Sequence, residues 1–263
     1  MEQAVLDKLL AKVEKPARYI GGEYHIVVKE DSGLFRFALC FPDVYEIGMS
    51  HLGSRILYHV LNSDPTIACE RAFAPWPDME RALIEANEPL FSLETKRPLG
   101  EFDVIGFSLL YEMCYTNILT MLSLSGLPFY AAERDDTMPI VIAGGPCCCN
   151  PEPIAPFFDA ILIGDGEELI LDVAHAVQQA KAQGTPRLEL LRHLKAIRGV
   201  YVPQLHQPGE TVVKRIVSDL DATPFTGSPL VPYLNIVHDR VALEVMRGCT
   251  RGCRFCQAGY IYR

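Results

Sequence analysis

Three cysteines near the end of the chain, Cys249, Cys253 and Cys256, carry its most specific chemical signal. Gaps of three and two residues place three thiols on one loop, and thiolates suit a soft metal centre such as zinc or an iron–sulfur cluster. Structural zinc sites and ordinary electron-transfer clusters take four ligands. Three close cysteines without a nearby fourth therefore indicate a cluster in which one iron is left open for a substrate or cofactor.

The residues around the cysteines predict how the loop is held. The apolar run at 241–246 predicts a short buried strand, and Gly248 and Gly252 allow the following backbone to turn tightly. An aromatic residue, Phe255, comes just before the last cysteine. A strand followed by Cys-x-x-x-Cys-x-x-Cys with this aromatic resembles the signature of radical S-adenosylmethionine (radical SAM) enzymes.

The resemblance implies a ligand set and a cofactor. In that family the three cysteines hold a four-iron, four-sulfur (4Fe-4S) cluster, and S-adenosylmethionine chelates the fourth iron. By resemblance, Cys249, Cys253 and Cys256 are cluster ligands and Phe255 lies beside the bound cofactor. A zinc knuckle completed by His238 or another distant residue is the alternative interpretation.

Upstream of the cysteines, strand-like runs alternate with longer helical patterns. This alternation predicts an α/β fold, a Rossmann-like or flavodoxin-like parallel sheet with helices on both faces. Ligands on such sheets bind beyond the carboxyl ends of the strands. Strands are predicted at 34–41, 67–72, 103–108, 139–143 and 160–163, and helices at 51–61, 77–87, 113–125 and 167–183.

Three loops that follow predicted strands resemble those of the cobalamin-binding domain. In that family the first loop carries a histidine that coordinates cobalt, but Tyr45 stands at its position here, and the nearby His51 is expected to cap or flank the next helix. Either cobalamin binds without a protein imidazole, or the fold has lost the cofactor. A plain flavodoxin-like sheet whose glycines serve turns is the third possibility. The matching positions are Asp43, Gly48, Ser108, Leu110, Gly144 and Gly145.

The sequence predicts four segments. Residues 1–30 form an N-terminal helix and a lead-in strand, and 31–185 form the cobalamin-binding-like domain. Residues 186–232 form a hairpin, from the runs at 199–203 and 211–217, and a linker. Residues 233–263 begin a radical SAM (β/α) barrel, and we expect the chain to be C-terminally truncated. The acidic stretch 163–168 is interpreted as a helix start with no catalytic role.

The amino-acid composition indicates which binding partners and which cellular compartment suit the chain. The 263 residues carry 24 basic and 33 acidic side chains, a net charge of −9, which gives no signal for nucleic-acid binding. No apolar run is long enough to span a membrane. Nine cysteines predict reduced thiols in the cytoplasm rather than a disulfide framework. Cys40, Cys69 and Cys114 are interpreted as small hydrophobic residues, and the run at 147–149 as loop residues rather than a second metal site.

The resemblance also implies the activity of a complete enzyme. A reduced cluster would cleave S-adenosylmethionine to a 5'-deoxyadenosyl radical that abstracts hydrogen, with cobalamin-dependent methyl transfer where cobalamin binds. A reductant such as flavodoxin or ferredoxin is the implied partner. Two alternatives stay open: a methylthiotransferase-like enzyme, which carries three further cluster cysteines, and a non-catalytic corrinoid- or metal-binding fragment. The sequence does not identify the substrate.

Overall fold

The computed structural model describes residues 1–29, 33–223 and 227–262. Within them, one six-stranded sheet has the order β2-β1-β3-β4-β5-β6. Neighbours from β1 to β5 are parallel, and β6 is antiparallel to β5. The order 2-1-3-4-5 is that of flavodoxin-like doubly wound sheets, so the predicted α/β class is confirmed. The strands are β1 (Phe35–Phe41), β2 (Ile67–Phe73), β3 (Val104–Ser108), β4 (Ile140–Gly144), β5 (Ala160–Leu162) and β6 (Val200–Tyr201).

Helices cover both faces of the sheet. One face packs against α1, α4 and α5, and the other against α3, α6 and α7. Among the described residues no helix is long and apolar enough to cross a membrane. The α-helices are α1 (Gln3–Leu10), α2 (Tyr45–Gly48), α3 (Leu52–Ser63), α4 (Pro77–Ala86), α5 (Tyr115–Leu124), α6 (Gly166–Gln183), α7 (Arg187–Lys195) and α8 (Ala258–Ile261).

Strand β1 shows why the strands of the sheet could be predicted from the sequence. Ala38 and Cys40 point into the hydrophobic core beneath α4 and α5, whereas Phe37 and Leu39 point into the core beneath α3 and α6. All four side chains are buried. A strand covered on both faces needs apolar residues at consecutive positions, and this gives the continuous apolar run seen in the sequence.

The N-terminal segment follows the prediction in its first half. Helix α1 buries Leu6 and Leu9 against the α4 side of the sheet. In place of the predicted lead-in strand, the described residues contain a single antiparallel bridge between Tyr24 and Val231. Residue 30, the last of that predicted segment, lies outside the described residues.

The predicted hairpin around residue 208 is replaced by two separate contacts with the sheet. Strand β6 pairs with β5, with Tyr201 opposite Ile161, because the edge of β5 offers free backbone groups. The run at 211–217 makes one parallel bridge, between Arg215 and Gly164. Residues 224–226 of the predicted linker lie outside the described residues.

The buried strand predicted at 241–246 does not form. Val241, Leu243 and Val245 are 82%, 67% and 84% exposed, and no strand of the described chain pairs with this segment. A strand becomes stable only when a neighbour accepts its backbone hydrogen bonds, and apolar composition alone does not provide one. The segment instead runs as an irregular extension into the cysteine loop, which ends at α8.

Candidate functional site

A cavity of about 460 Å³ opens at the carboxyl edge of the sheet. Its floor is formed by the ends of β3, β4 and β5, and its walls by the first turns of α3 and α6. The segment 244–248 and Tyr262 close one side. This volume suits a small-molecule ligand, and the position is where doubly wound sheets bind ligands.

Four of the residues that resemble the cobalamin-binding loops line this cavity: Ser108, Leu110, Gly144 and Gly145. They lie at the ends of β3 and β4 and in the loops that follow these strands. The two ends are joined by the Leu109 amide, which donates to the Gly144 carbonyl at 2.7 Å. The prediction that these two loops meet at one site is therefore consistent with the geometry.

Only one of the two glycines in the Gly-Gly pair must be glycine for steric reasons. Gly145 has φ 116°, and a Cβ there would lie 2.5 Å from the carbonyl oxygen of Leu109. At Gly144 the nearest atom to an added Cβ is 3.8 Å away, on Leu162, which is an ordinary contact. Gly145 thus serves the close packing of two loops, whereas Gly144 leaves open space toward the cavity.

The first of the three loops does not line the cavity. Tyr45 is buried and its hydroxyl donates to Glu23 at 2.9 Å. Glu23 in turn accepts from Arg71 at 2.9 Å. Burial, followed by the charge of Glu23, raises the pKa of Tyr45 well above its usual value. Because this side chain is committed to the interior, the position does not fit a lower ligand to the cobalt of cobalamin.

Asp43 and Gly48 also have structural roles within the described residues. One carboxylate oxygen of Asp43 accepts from the Val44 amide at 2.7 Å, and the other accepts from the hydroxyl of Tyr111. Gly48 lies against the ring of Phe73, which leaves no room for a Cβ. These contacts shape the loop after β1 without bringing either residue to the cavity.

His51 caps α3, as the sequence predicted, and also lies on the cavity wall. Its Nδ1 accepts from the Ser54 amide at 3.1 Å. Burial, followed by the charge of Arg55, lowers the pKa of His51 to about 4. The cavity therefore presents a neutral imidazole at neutral pH.

The three motif cysteines lie on one irregular loop beside the cavity. Cys249 and Cys256 are half-buried and Cys253 is exposed. The Cys256 amide donates to the Cys253 carbonyl at 3.1 Å, and the Arg251 amide contacts the Cys249 Sγ at 3.5 Å. In residues 1–29, 33–223 and 227–262 no three metal-binding side chains are gathered into a ready-made site, either around these thiols or around His238.

The donor set nevertheless fits an iron–sulfur cluster. All three thiols are free, none is fully buried, and one short loop carries them. Phe255, between the second and third cysteines, is 93% exposed. The ring and the thiols are therefore accessible on the same loop.

The remaining cysteines behave as hydrophobic residues or lie at a loop. Cys40 and Cys69 are fully buried on opposite faces of the sheet, and burial raises the pKa of both thiols. Burial also raises the pKa of Cys114 to about 11. Within the run at 147–149, Cys148 is buried and Cys149 is exposed.

Sequence reasoning missed the residue that connects the cysteine loop to the sheet. Arg247 lies two positions before Cys249, and its guanidinium contacts Asp165 and Glu167 at the start of α6 and Glu244 of its own segment. Three carboxylates surround one guanidinium, so this side of the cavity carries a net negative charge, which disfavours a phosphate ligand. No local pattern indicates an ion pair between residues 80 positions apart.

Comparison with known proteins identifies the family. Residues 53–203, more than half of the chain, match the family described as radical SAM proteins, N-terminal. The chain belongs to the radical SAM proteins. The matched residues end before the cysteine loop, so the α/β part and the cysteine motif point to the same family independently. Radical SAM proteins in general use a 4Fe-4S cluster and S-adenosylmethionine.

An uncharacterized protein of Methanocaldococcus jannaschii is 25% identical to this radical SAM protein over 228 residues. The alignment covers 86% of this chain but 41% of that relative. The chain therefore spans less than half the length of the relative it matches. No solved structure matches the chain.

Proposed function

We propose that this chain supplies the cluster loop of a radical SAM iron–sulfur enzyme, with Cys249, Cys253 and Cys256 as the three protein ligands of a 4Fe-4S cluster. The observation that carries the proposal is the Cys-x-x-x-Cys-x-x-Cys spacing of three free, accessible thiols in a member of this family. When bound, such a cluster supplies one electron to S-adenosylmethionine, whose carbon–sulfur bond breaks to give a 5'-deoxyadenosyl radical that abstracts hydrogen from a substrate.

The chain's own residues would hold and shield this chemistry. The three thiolates bind the cluster, and Phe255, by resemblance, lies against the cofactor. The neighbouring cavity gives a substrate or cofactor a largely apolar compartment with a neutral imidazole in its wall. We propose residues 31–185 as the α/β domain, 186–232 as the connecting segment and 233–263 as the segment that carries the cluster loop.

Two more specific hypotheses, cobalamin-dependent methyl transfer and methylthiotransfer, have less support. Tyr45 does not fit a lower ligand to cobalt and no comparison supports cobalamin, so cobalamin-dependent methyl transfer is outside the proposed activity. A methylthiotransferase would need three further cluster cysteines. Cys40 and Cys69 lie on opposite faces of the sheet, and Cys114, Cys147 and Cys148 are buried in the hydrophobic core. In the described part of the chain no three metal-binding side chains are gathered among them. The nine free cysteines favour a reducing compartment, and we propose the cytoplasm, with flavodoxin or ferredoxin as the class of reductant.

Iron analysis after anaerobic reconstitution tests the ligand assignment. The wild-type chain should bind about four iron atoms, and Cys253→Ala should lose the cluster because two thiolates do not hold it. Cys149→Ala is the matched control, since this thiol is also free and exposed. It should retain the wild-type iron content. Full iron in Cys253→Ala would contradict the assignment.

A further inference from the structure

The guanidinium of Arg247 joins the cysteine loop to the α/β domain. Its Nη1 lies 3.2 Å from Asp165 Oδ1 and its Nε lies 2.8 Å from Glu244 Oε1. Its Nη2 also contacts Glu167. Asp165 lies just before α6 and Glu167 lies in its first turn, both at the carboxyl edge of the sheet. One side chain thus links the segment before the cysteines to the edge of the cavity.

The acidic side of this contact belongs to the α/β domain. Glu167 lies in the first turn of α6 with a side chain only 7% exposed. Asp165 accepts from the Val217 amide at 2.8 Å through its other carboxylate oxygen. Its own amide donates to the Arg215 carbonyl at 3.0 Å. Asp165 is thus held by a backbone amide independently of Arg247, and Glu167 is placed by the first turn of α6.

The segment that carries Arg247 has few other contacts to hold it. The apolar side chains at 241, 243 and 245 are mostly in solvent, so hydrophobic burial does not anchor the segment. Beyond the cysteines, the Ile261 carbonyl accepts from Lys214 Nζ at 2.7 Å. Among the described residues, Arg247 before the first cysteine and Ile261 after the last both connect the loop to the rest of the fold.

We propose that Arg247, Asp165 and Glu167 form a latch that positions the cysteine loop over the cavity at the carboxyl edge of the sheet. Arg247 is a positioning residue, acting through the loop that begins two residues later. This inference rests on the proposed function, since the position of the loop matters when its thiols hold a cluster. With the latch closed, Arg247 and Gly248, which lie directly before the loop, form part of the cavity wall.

Limited trypsin digestion of the metal-free chain tests the latch directly, because cleavage after Arg247 requires its guanidinium to enter the protease. Glu167→Gln should speed this cleavage about tenfold relative to cleavage after the exposed Arg254, the change expected for about 1.4 kcal/mol. The matched control is Glu168→Gln, whose carboxylate is 57% exposed and pairs with Arg215 instead. It should leave the ratio unchanged.

A second variant distinguishes loss of the latch from misfolding around the buried Glu167. Asp165→Asn removes the charge of the other latch carboxylate, whose side chain is 21% exposed compared with 7% for Glu167, and should also raise the ratio. An unchanged ratio in both Glu167→Gln and Asp165→Asn, with thermal unfolding at the wild-type temperature, would overturn the latch.

A cluster-dependent measurement separates positioning from general stability. In the reconstituted chain, Arg247→Ala should lose iron to a chelator about tenfold faster than wild type. Arg247→Lys keeps the charge and should restore most of the difference. Equal rates in the Ala and Lys variants would count against the latch. The trypsin ratio needs no metal, so it decides the latch even if Cys253→Ala shows that the cluster assignment is wrong.

Discussion

Two neighbouring glycines at the carboxyl edge of the sheet, Gly144 and Gly145, have different roles. Gly144 and Gly145 are adjacent members of one predicted cofactor loop, but only Gly145 is held at positive φ against the backbone of Leu109. A motif of two glycines cannot show this difference, because it depends on the neighbouring loop. The structure therefore assigns a fold-forming role to the second glycine and leaves the first available to a ligand.

The glycine pair yields a prediction with a built-in control. Gly145→Ala should reduce the free energy of unfolding by about 1–3 kcal/mol or more, because the new Cβ meets the Leu109 carbonyl in a strained backbone conformation. Gly144→Ala should change it by less than about 1 kcal/mol. Urea unfolding followed by circular dichroism measures both. Equal losses would show that the close approach at Gly145 does not constrain the fold.

At the scale of elements, the predicted strands that form are those that other elements cover on both faces. β1 and β3 to β5 carry buried, mostly apolar runs, β2 is buried although it includes Glu70 and Arg71, and each forms near its predicted position. The runs at 211–217 and 241–246 look similar in sequence but find no ladder in the described chain. Pairing is decided by non-local geometry, so apolar pattern alone cannot distinguish these cases.

The site shows the same division between local and distant signals. The cysteine motif and the loops after β3 and β4 could be predicted from the sequence, because the residues of each motif are close together in the chain. The inward turn of Tyr45 depends on Glu23, and the contact of Arg247 depends on Glu167, each far away in sequence. Such pairs leave no local pattern.

Asp159 determines how several elements are joined. Its carboxylate is buried and accepts from Arg134 at 2.8 Å, from Arg187 at 2.8 Å and from the Val141 amide at 2.8 Å. Arg187 begins α7, and Val141 lies in β4. One acidic side chain therefore ties a helix and a strand to the start of β5.

Removing this charge should destabilise the fold. Asp159→Asn leaves two buried guanidinium groups without their counter-charge and should cost about 3–5 kcal/mol. Glu101→Gln, which breaks an exposed pair with Arg97, should cost less than about 1 kcal/mol. Urea midpoints of the two variants provide the comparison. A loss at Asp159 no larger than that at Glu101 would contradict the role of this network.

In the whole molecule, three parts meet at the carboxyl edge of the sheet. A flavodoxin-like sheet provides a cavity, an acidic turn provides an anchor, and a cysteine loop provides three thiols beside both. Family membership rests on the α/β part, and the cluster chemistry rests on the loop. The central claim is that three cysteines hold a cluster and leave one iron without a protein ligand.

Mild oxidation of the reconstituted chain, followed by EPR spectroscopy and iron analysis, tests whether one iron lacks a protein ligand. We expect about one iron per chain to be released first and the spectrum to become that of a three-iron cluster, because the iron without a cysteine is the least firmly held. A chain that binds no cluster, or a cluster that keeps all four irons until it breaks down completely, would contradict this assignment.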